Sequence, residues 1–544
     1  MKPHLWPLLT IIVFGLIGIK ALFHSGWYTS HDGEHQLVRQ YIFDRAVKFG
    51  HIPPRVDRQL LNHLGYPLMT FTYQLPFIIG EPFRLLGLSI QDTVKLVFIL
   101  TYIASGLTMY LFTQELWGRG AGLLAGLLYL WAPYRFSIIF VRASLGEHVA
   151  FVFLPLVLWS LNHKFLTRKR LIIGSLSLAG LVLSHLMAAQ IFLPLIILYG
   201  LFQIISSKNK LLITMRYTLI AILGLSLISY YLLPAFIYRL TIRGLNRYFY
   251  AEHFATLKQL LYSRWDYGFS MSGPNDGMSF QLGLAHWLVI GLAIFLILKQ
   301  ILFKKFSLNN LAFIISFIFA IFMSLFISTH VWEYLISRYS WFIIDIPWRW
   351  LALATTAAAV LSGFVFNQLK GLVKLALVSL IILLMLYGNR NHLRVNEYVD
   401  YPDQKLTQYL GSSNSYDEYQ SVYTQDFMIK GPTPQPVVIV SGTAQINLQK
   451  SLPHQLILEA QVQEATQIQI NTVYFPGWTL TVDNQVQDIK STLDYGVPTA
   501  KLKPGRHVIS LIYRQTPVMT AGNIITLASL VILILLWKRN PKSS

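Results

Sequence analysis

Apolar stretches long enough to cross a lipid bilayer recur along this 544-residue chain, from Leu5 to Trp537. A helical crossing needs about 20 apolar residues, and its backbone hydrogen bonds must be satisfied within the segment. Only 12% of the residues are charged, against about 25% in ordinary soluble proteins, and the mean hydropathy is +0.50. The sequence therefore excludes a soluble enzyme and predicts a polytopic α-helical membrane protein.

The strong positive charge of the chain has a topological explanation. The formal net charge is +20, but the basic residues are scattered between apolar stretches, where they mark cytoplasmic loops. No nucleic-acid partner is therefore predicted. The absence of cysteine excludes disulfides and thiolate metal sites. No small-residue cleavage pattern follows the first apolar stretch, so we expect it to be an uncleaved signal anchor.

Ten clear spans and one ambiguous stretch define the predicted topology. The clear spans are 5–23, 94–114, 119–136, 146–163, 214–236, 284–302, 309–328, 347–366, 371–388 and 518–537. Basic residues flank the ambiguous stretch, 171–206, on both sides, which requires an even number of crossings. Two short helices with a turn near His185 are therefore predicted. About twelve spans result, with both termini inside.

This topology divides the chain into three predicted parts. They are a transmembrane domain (1–388) with long outward loops at 24–93 and 237–283, an extracytoplasmic domain (389–516), and a final span with a basic tail (517–544). The extracytoplasmic block contains alternating segments bounded by turn residues, which predicts a small β-sandwich. Its predicted strands are 437–441, 455–461, 467–473, 479–482 and 507–513.

Two segments of the first outward loop have recognisable patterns. In residues 33–49, apolar side chains alternate with basic ones, which predicts a helix lying in the membrane interface. The aromatic, proline-broken segment 65–82 is too interrupted to span the bilayer. We expect it to form a re-entrant or interfacial hairpin.

The first candidate site follows the first span directly. The sequence SHDGEH at 30–35 places two carboxylates and two imidazoles at the membrane surface. Such polar density is what a catalytic base or a metal site requires. Asp32 is also a residue type that caps helix N-termini, and the two roles are compatible.

A second cluster lies at the outer mouth of the fourth span. Ser144, Glu147 and His148 are spaced i, i+3 and i+4, so a helix would place them on one face. A carboxylate entering a span is costly and is usually functional. The alternative is a salt bridge from Glu147 to Arg142 or Arg135 that only anchors the helix end.

Arginines on the outward side form a third feature, because the positive-inside rule disfavours them there. These residues are Arg135, Arg142, Arg338 and Arg349. A guanidinium binds two phosphate oxygens at once, so an anionic partner such as a lipid-carrier phosphate would explain them. Snorkelling to lipid headgroups is the alternative. Arg349, between two tryptophans at a span mouth, is the strongest candidate.

The second long outward loop is the fourth candidate region. Asp266 lies among Trp, Tyr, Gly and Asn residues, which favour turns and also occur on sugar-binding surfaces. His185 and His286 complete the outward polar set, as structural histidines or as ligands. No Asp, Glu, Lys or Arg falls near the middle of a predicted span, and no Walker motif is present. Transport driven by ions or ATP is therefore not predicted.

Several of these motifs together carry a family resemblance. They are DGEH at 32–35, GYP at 65–67, RASLGEH at 142–148, SH at 184–185, FQLG at 280–283 and PWR at 347–349. The chain resembles a bacterial membrane-protein family described as 6-pyruvoyl-tetrahydropterin synthase-related, which in turn is similar to the GT-C glycosyltransferases. Nothing in these residues supports pterin chemistry.

The GT-C resemblance implies a function in the bacterial plasma membrane. The implied reaction is an inverting transfer of a sugar from a polyprenyl-phosphate donor to a glycan, lipid or protein acceptor on the extracytoplasmic face, with Asp32 as the base. A phosphate leaving group needs no general acid, only positive charge near its oxygens. Arg142 and Arg349 would provide this charge. We expect the β domain to position the acceptor.

The remaining candidates concern substrate binding and a cofactor. Substrate-binding candidates are Glu34, His35, Arg142, Glu147, His148, His185, Asp266 and Arg349. A divalent cation, Mg²⁺ or Mn²⁺, could be held by Asp32, Glu34, His35, Glu147 and His148, since carboxylates and imidazoles are suitable ligands. The alternatives to a transferase are a flippase for lipid-linked sugars and a non-catalytic protein of cell-envelope glycan assembly.

Overall fold

In the computed structural model of the chain, the described residues are 5–165, 167–244, 253–271, 273, 275–303, 308–329, 332, 346–415, 417–424, 435–494 and 496–538. Apolar helices form a bundle around one large hydrophobic core, and two β-sheets precede the last helix. The helices are α1 (Leu5–Gly18), α2 (Gly33–Lys48), α3 (Leu68–Phe71), α4 (Leu75–Leu85), α5 (Ile90–Trp117), α6 (Arg119–Leu130), α7 (Pro133–Phe136), α8 (Leu145–Ser160), α9 (Arg168–Ser184), α10 (Leu186–Ser206), α11 (Lys210–Leu227), α12 (Ser229–Tyr238), α13 (Leu257–Leu261), α14 (Leu284–Leu302), α15 (Leu308–Ile327), α16 (Leu351–Gln368), α17 (Gly371–Asn389), α18 (Asp403–Thr407) and α19 (Pro517–Lys538).

Among the described residues, seven helices are long and apolar enough to cross a membrane, and an eighth span results if one bent pair is counted. The bent pair is Arg119–Leu130 with Pro133–Arg142, which meet at 46°. Shorter apolar helices lie at Leu5–Gly18, Leu145–Ser160 and Leu311–Ile327. The protein is therefore a multi-pass helical membrane protein. Helices lie at all the predicted span positions, but some of them are too short to cross a membrane. Twelve crossings therefore stay a prediction.

The ambiguous stretch is divided as predicted. Helix α9 ends at Ser184 and α10 begins at Leu186. Between them, His185 has an extended backbone, and its Nδ1 accepts a hydrogen bond from the Ala188 N–H at 3.1 Å. One histidine thus interrupts the helical path and caps the following helix.

The first outward loop packs on protein more than the sequence suggests. The predicted helix is present as α2, and the predicted hairpin contains α3 and α4. However, Leu37, Val38 and Ile42 of α2 are all buried, and α2 packs against α4 and α5. The helix that was expected to lie in the membrane interface therefore packs against the hairpin that contains α3 and α4. Its apolar side chains contact protein where lipid contacts were expected.

Two antiparallel sheets form the C-terminal β domain. The strands of the described residues are β1 (Trp27–Tyr28), β2 (Tyr398–Val399), β3 (Val437–Ser441), β4 (Ala444–Leu452), β5 (Gln455–Val462), β6 (Thr466–Ile470), β7 (Trp478–Val482), β8 (Gln485–Val486), β9 (Leu493–Asp494), β10 (Val497–Leu502) and β11 (Gly505–Tyr513). The strand orders of the two sheets are β3-β6-β10-β9 and β4-β5-β11-β7-β8. Alternate side chains of both sheets share one hydrophobic core. The two layers form the predicted sandwich.

The β domain is held against the first outward loop by backbone hydrogen bonds. The Arg58 N–H donates to the Pro453 carbonyl at 3.1 Å, and the Val473 N–H donates to the Leu64 carbonyl at 2.7 Å. Separately, β1 of the first loop pairs with β2, which follows α17. Segments far apart in sequence are thus joined by backbone hydrogen bonds.

We expect acid to weaken the contact between this loop and the β domain. The His51 and His454 rings stack at 4.7 Å, and His51 Nε2 accepts a hydrogen bond from the Arg55 N–H. Burial, with His454 and Arg55 nearby, lowers the pKa of His51 from 6.5 to about 3. Between these values the unfolded state binds more protons, so the stability decreases as the pH falls through this window.

The expected loss for His51 between pH 6.5 and 4.5 is about 2 to 3 kcal/mol. Thermal unfolding of the purified protein in neutral detergent at the two pH values measures this loss. A His51→Gln variant keeps a hydrogen-bond acceptor without titrating, so its melting temperature should depend less on pH. An equal pH dependence in this variant would assign the acid sensitivity to other groups.

Candidate functional site

The backbone of Asp32 is fixed where the first loop meets the segment before α8. The Asp32 N–H donates to the Arg142 carbonyl at 2.8 Å. At the next position, a Cβ on Gly33 would lie 2.7 Å from Trp27 Nε1, so glycine is required for this close approach. The fold therefore holds the backbone of Asp32 against the segment that precedes α8.

The Asp32 carboxylate is not used by the helix that follows it. Asp32 occupies the N-cap position of α2, but its side chain makes no capping hydrogen bond. The side chain is 29% exposed, and Oδ2 lies 4.0 Å from Arg142 Nη2. The capping interpretation is therefore not supported, and the carboxylate can accept a proton from a bound molecule.

A buried ion pair lies behind this carboxylate. Arg142 Nη1 donates to Glu147 Oε2 at 2.7 Å, and both side chains are almost fully buried. The Tyr134 hydroxyl donates to Glu147 Oε1. Arg142 ends the π-helical segment Ser137–Arg142, and Ala143 then adopts a left-handed backbone (φ 52°) before α8 begins. This reversal places the guanidinium against the first turn of α8, as the salt-bridge alternative predicted.

Trp348 covers the guanidinium of this pair. The Arg142 Cζ lies 4.7 Å from the Trp348 ring centroid, a distance typical of a cation–π contact. The Phe280 ring stacks on Trp348 at 5.4 Å. Arg142 is therefore enclosed by its carboxylate partner and by aromatic side chains, and little of it faces solvent.

Arg349 is the more accessible cation at this site. It lies with Trp348 in the 3₁₀ turn Pro347–Trp350, which leads into α16, and it is half-buried. Its carbonyl accepts a hydrogen bond from the Tyr134 hydroxyl at 3.4 Å. Glu147 and His185 both lie close enough to interact electrostatically with the Arg349 guanidinium. The structure thus brings Arg349 and His185 to the same site as the buried ion pair.

His31 joins the second long outward loop to Asp32. Its Nε2 lies 3.1 Å from the Tyr267 carbonyl, and its ring stacks on Phe269 at 4.5 Å. Burial lowers the pKa of His31, which favours a neutral imidazole at pH 7. The loop therefore reaches the site through Tyr267 and Phe269. Asp266 is exposed and lies 3.9 Å from Arg264.

Glu34 and His35 follow Asp32 but have other surroundings. Glu34 is exposed, and its Oε1 accepts a hydrogen bond from the Tyr401 hydroxyl. His35 is partly buried, and within the described residues its Nδ1 has no hydrogen-bond partner. Burial and the neighbouring Arg39 lower the pKa of His35. Neither side chain has a contact that joins it to the buried ion pair.

His148 does not share the surroundings of Glu147. It is fully buried, its Nε2 lies 3.1 Å from the Phe98 carbonyl, and its ring stacks on Tyr102. Successive helix residues point about 100° apart, so Glu147 faces the site while His148 faces the core. The prediction that Ser144, Glu147 and His148 share one face is therefore wrong for His148.

The predicted divalent-ion site is not assembled. Across the described part of the chain, no group of three or more His, Asp or Glu side chains could hold a metal ion. The predicted ligands were Asp32, Glu34, His35, Glu147 and His148. An arginine neutralises Glu147, and His148 lies in the core, so these residues do not form one ligand set. No catalytic step is therefore assigned to Mg²⁺ or Mn²⁺.

Two further predicted residues have structural roles. Arg135 is fully buried, with its Cζ 4.1 Å from the Phe151 ring centroid and its Nη2 donating to Ser105 Oγ. It therefore cannot contact a lipid phosphate. His286 is buried, and its Nε2 lies 3.1 Å from a main-chain carbonyl of α6. Arg338 lies outside the described residues.

Sequence reasoning did not find two members of the site. Tyr134 follows the break between α6 and α7. The change of helix direction at this break is the one feature that could have pointed to Tyr134 as a member of the site. In the sequence, Trp348 is recognised only as a neighbour of Arg349. A cation–π contact between distant segments has no characteristic sequence spacing, so the sequence does not predict the contact of Trp348 with Arg142. Both residues contact the Arg142–Glu147 pair.

A cavity of about 380 Å³ opens beside the site, near the outer ends of α14 and α17. Its lining includes Arg264, Arg390 and Arg394 and, among the described residues, no carboxylate. It borders the site through Pro133 and Gln281. A polar, cationic cavity therefore lies where the helices meet the outer surface.

No family profile matches the chain, so the pterin-synthase-related resemblance is not confirmed. One relative is an uncharacterized protein of Lactococcus lactis subsp. cremoris, which is 26% identical over 216 residues. The match covers 38% of this chain and 35% of that protein. The chain thus spans about a third of the length of this curated relative.

Several solved structures are similar to the chain. The Archaeoglobus fulgidus oligosaccharyltransferase tethered to an acceptor peptide is 13% identical, with a TM-score of 0.47 over 80% of this chain and 61% of that one. ArnT from Cupriavidus metallidurans bound to undecaprenyl phosphate is 13% identical, with a TM-score of 0.37 over 68% and 61%. The chain spans less than two thirds of either structure.

Proposed function

We propose that this protein is a GT-C-type glycosyltransferase that uses a polyprenyl-phosphate sugar on the extracytoplasmic face of a bacterial plasma membrane. The observation that carries this proposal is the Asp32 carboxylate, which is partly exposed, makes no helix cap and lies beside a buried guanidinium. The motifs that carry the family resemblance contain Asp32, Arg142 and Arg349, and that family is in turn similar to the GT-C enzymes.

In the proposed reaction, Asp32 is the general base. The acceptor hydroxyl gives its proton to Asp32 while its oxygen attacks the anomeric carbon of the donor sugar. The bond from that carbon to the phosphate oxygen breaks, and its electron pair leaves with the phosphate. Because attack and departure occur on opposite faces, the anomeric configuration inverts.

The departing phosphate requires positive charge near its oxygens. Arg142 cannot provide this alone, because Glu147 and Trp348 enclose its guanidinium. We assign the direct contact to Arg349, which is half-buried at the mouth of α16. Arg142 then acts as a positioning residue that holds positive charge beside Asp32.

The decisive experiment is a transfer assay with the purified full-length protein in liposomes. A polyprenyl-phosphate sugar and a cell-envelope extract are supplied, and mass spectrometry follows the donor and the glycans. We expect the donor to be consumed and a sugar to appear on an acceptor. Movement of unconsumed donor across the bilayer would indicate a flippase, and an unchanged donor would indicate a non-catalytic assembly protein.

Arg349 variants test the phosphate contact. Arg349→Lys keeps the charge but loses the two-pronged geometry, so we expect partial activity, whereas Arg349→Ala should lose most of it. Loss of one charge-assisted hydrogen bond, about 1.5 to 3 kcal/mol, corresponds to at least about tenfold weaker donor binding. Titration with a short-chain polyprenyl-phosphate sugar measures this. Equal donor affinities for wild type and Arg349→Ala would assign this residue to headgroup anchoring.

A further inference from the structure

A second cavity, here named the basic cleft, lies between the first outward loop and the β domain. Its volume is about 380 Å³. Arg45, Arg58 and His63 line it from the loop, Thr407 lines it from α18, and Leu448 is among the residues that line it from the β domain. No described lining residue belongs to a membrane-spanning helix, so the basic cleft faces the aqueous side.

Both walls of the basic cleft are fixed in place. The Arg58 N–H donates to the Pro453 carbonyl, and the Arg58 guanidinium donates to Thr472 Oγ1 at 3.0 Å and to Ser451 Oγ at 3.2 Å. These bonds cross from the loop to the β domain. A ligand would therefore meet a preformed surface, which lowers the entropy cost of binding.

The lining carries excess positive charge. Asp57, which is fully buried, accepts a hydrogen bond from Arg45 at 3.0 Å. The hydrogen-bond partners found for the Arg58 side chain are neutral hydroxyls, and the single Asp57 carboxylate interacts electrostatically with both arginines. Burial lowers the pKa of Arg58 only to about 10, so it stays charged at pH 7. Burial, followed by Arg58 and Arg45, lowers the pKa of His63. Among the described lining residues there is no carboxylate.

The distance to Asp32 limits what an occupant of the basic cleft can be. Helix α2 links the two places, and Arg45 lies twelve residues after Gly33 on it, which is about 18 Å along the helix axis. A single sugar cannot reach both. A bound molecule that presents its hydroxyl to Asp32 and also fills the basic cleft must be an extended chain.

We propose that the basic cleft binds a phosphate or carboxylate group on a distal unit of the acceptor, which is therefore an extended anionic glycan. This inference rests on the proposed transferase function for its acceptor role, but binding of the anion itself does not. Arginine forks suit phosphate and carboxylate oxygens. Leu448 and Leu452 provide an apolar wall on which the carbon face of a sugar unit can pack.

The first test adds a negative charge to the basic cleft without disturbing its buried bonds. Thr407 and Gln404 are both exposed on α18, but Thr407 lines the basic cleft and Gln404 does not. The probe is inorganic tripolyphosphate, titrated against the full-length protein in neutral detergent at low salt. We expect Thr407→Glu to weaken binding roughly tenfold or more, and Gln404→Glu to bind like wild type.

Either of two results would overturn the anion site. They are equal weakening in both glutamate variants, which would indicate general surface charge, and equal affinity of wild type and Thr407→Glu. Unchanged melting temperatures verify that the variants are folded. Salt should weaken binding to wild type more than binding to Thr407→Glu, because screening acts on the charge of the basic cleft.

The second test separates this inference from the proposed function. In the transfer assay, Thr407→Glu should raise the KM for the acceptor while leaving kcat and the donor KM unchanged. An unchanged acceptor KM would overturn the acceptor role of the basic cleft. Asp32→Asn should bind tripolyphosphate like wild type, so full transfer activity in Asp32→Asn would overturn the base assignment without affecting the basic cleft.

Discussion

Asp32→Asn should abolish sugar transfer and leave the protein folded. The amide keeps the shape of the side chain but cannot accept the acceptor proton, and loss of a general base lowers rates by roughly 100- to 10,000-fold. Folding should be unaffected, because the Asp32 side chain makes no cap bond and lies 4.0 Å from the nearest Arg142 nitrogen. Product formation per folded protein in reconstituted liposomes measures the loss.

Glu34→Gln is the matched control for this experiment. Glu34 lies two residues away, is exposed and contacts Tyr401. We expect Glu34→Gln to retain most of the activity, since a glutamine can still accept the Tyr401 hydrogen bond. Near-normal transfer by Asp32→Asn would remove Asp32 as the base. Loss of folded protein would show that its carboxylate is structural.

Glu147→Ala should strongly destabilise the protein. The substitution leaves the buried Arg142 guanidinium without its carboxylate and removes the carboxylate acceptor of the Tyr134 hydroxyl. Breaking a buried ion pair from one side costs about 3 to 5 kcal/mol. Melting temperature and monodispersity in detergent report this loss. The Arg142→Gln, Glu147→Gln double variant removes both charges and should recover part of the stability.

These two variants also separate structure from catalysis. A double variant that folds well and still transfers sugar slowly would assign the pair to positioning Asp32, as proposed. If Glu147→Ala instead folds normally but is inactive, Glu147 takes part in the reaction, and the salt-bridge account is wrong.

The fold was largely predictable because apolar length and loop charge are local properties of a sequence. The break at His185, where α9 meets α10, followed from charge alone. The five predicted strands are present, and in β5 and β6 buried side chains alternate with less buried ones. Strand β4 is mostly exposed and β10 mostly buried, so neither shows the alternation by which a strand is predicted.

The site was only partly predictable, because its contacts join distant segments. Arg142, Glu147 and Arg349 were found from charges placed where a bilayer disfavours them, and Asp32 was found from the polar cluster that follows the first span. Sequence spacing could not show that Glu34 accepts a hydrogen bond from Tyr401, which lies 367 residues later in the chain. Residue types that can bind a metal lie within a few positions of each other in the sequence. They do not form one metal site, because neighbouring side chains on a helix point in different directions.

The short ribbon of β1 and β2 has a consequence for biogenesis. Trp27 and Tyr28, a few residues before Asp32, pair with Val399 and Tyr398, which leave the ribosome only after nearly every apolar helix has been made. This pairing is thus completed late in translation. In a nascent chain, the segment that precedes Asp32 therefore has no strand partner until residues 398 and 399 have been made.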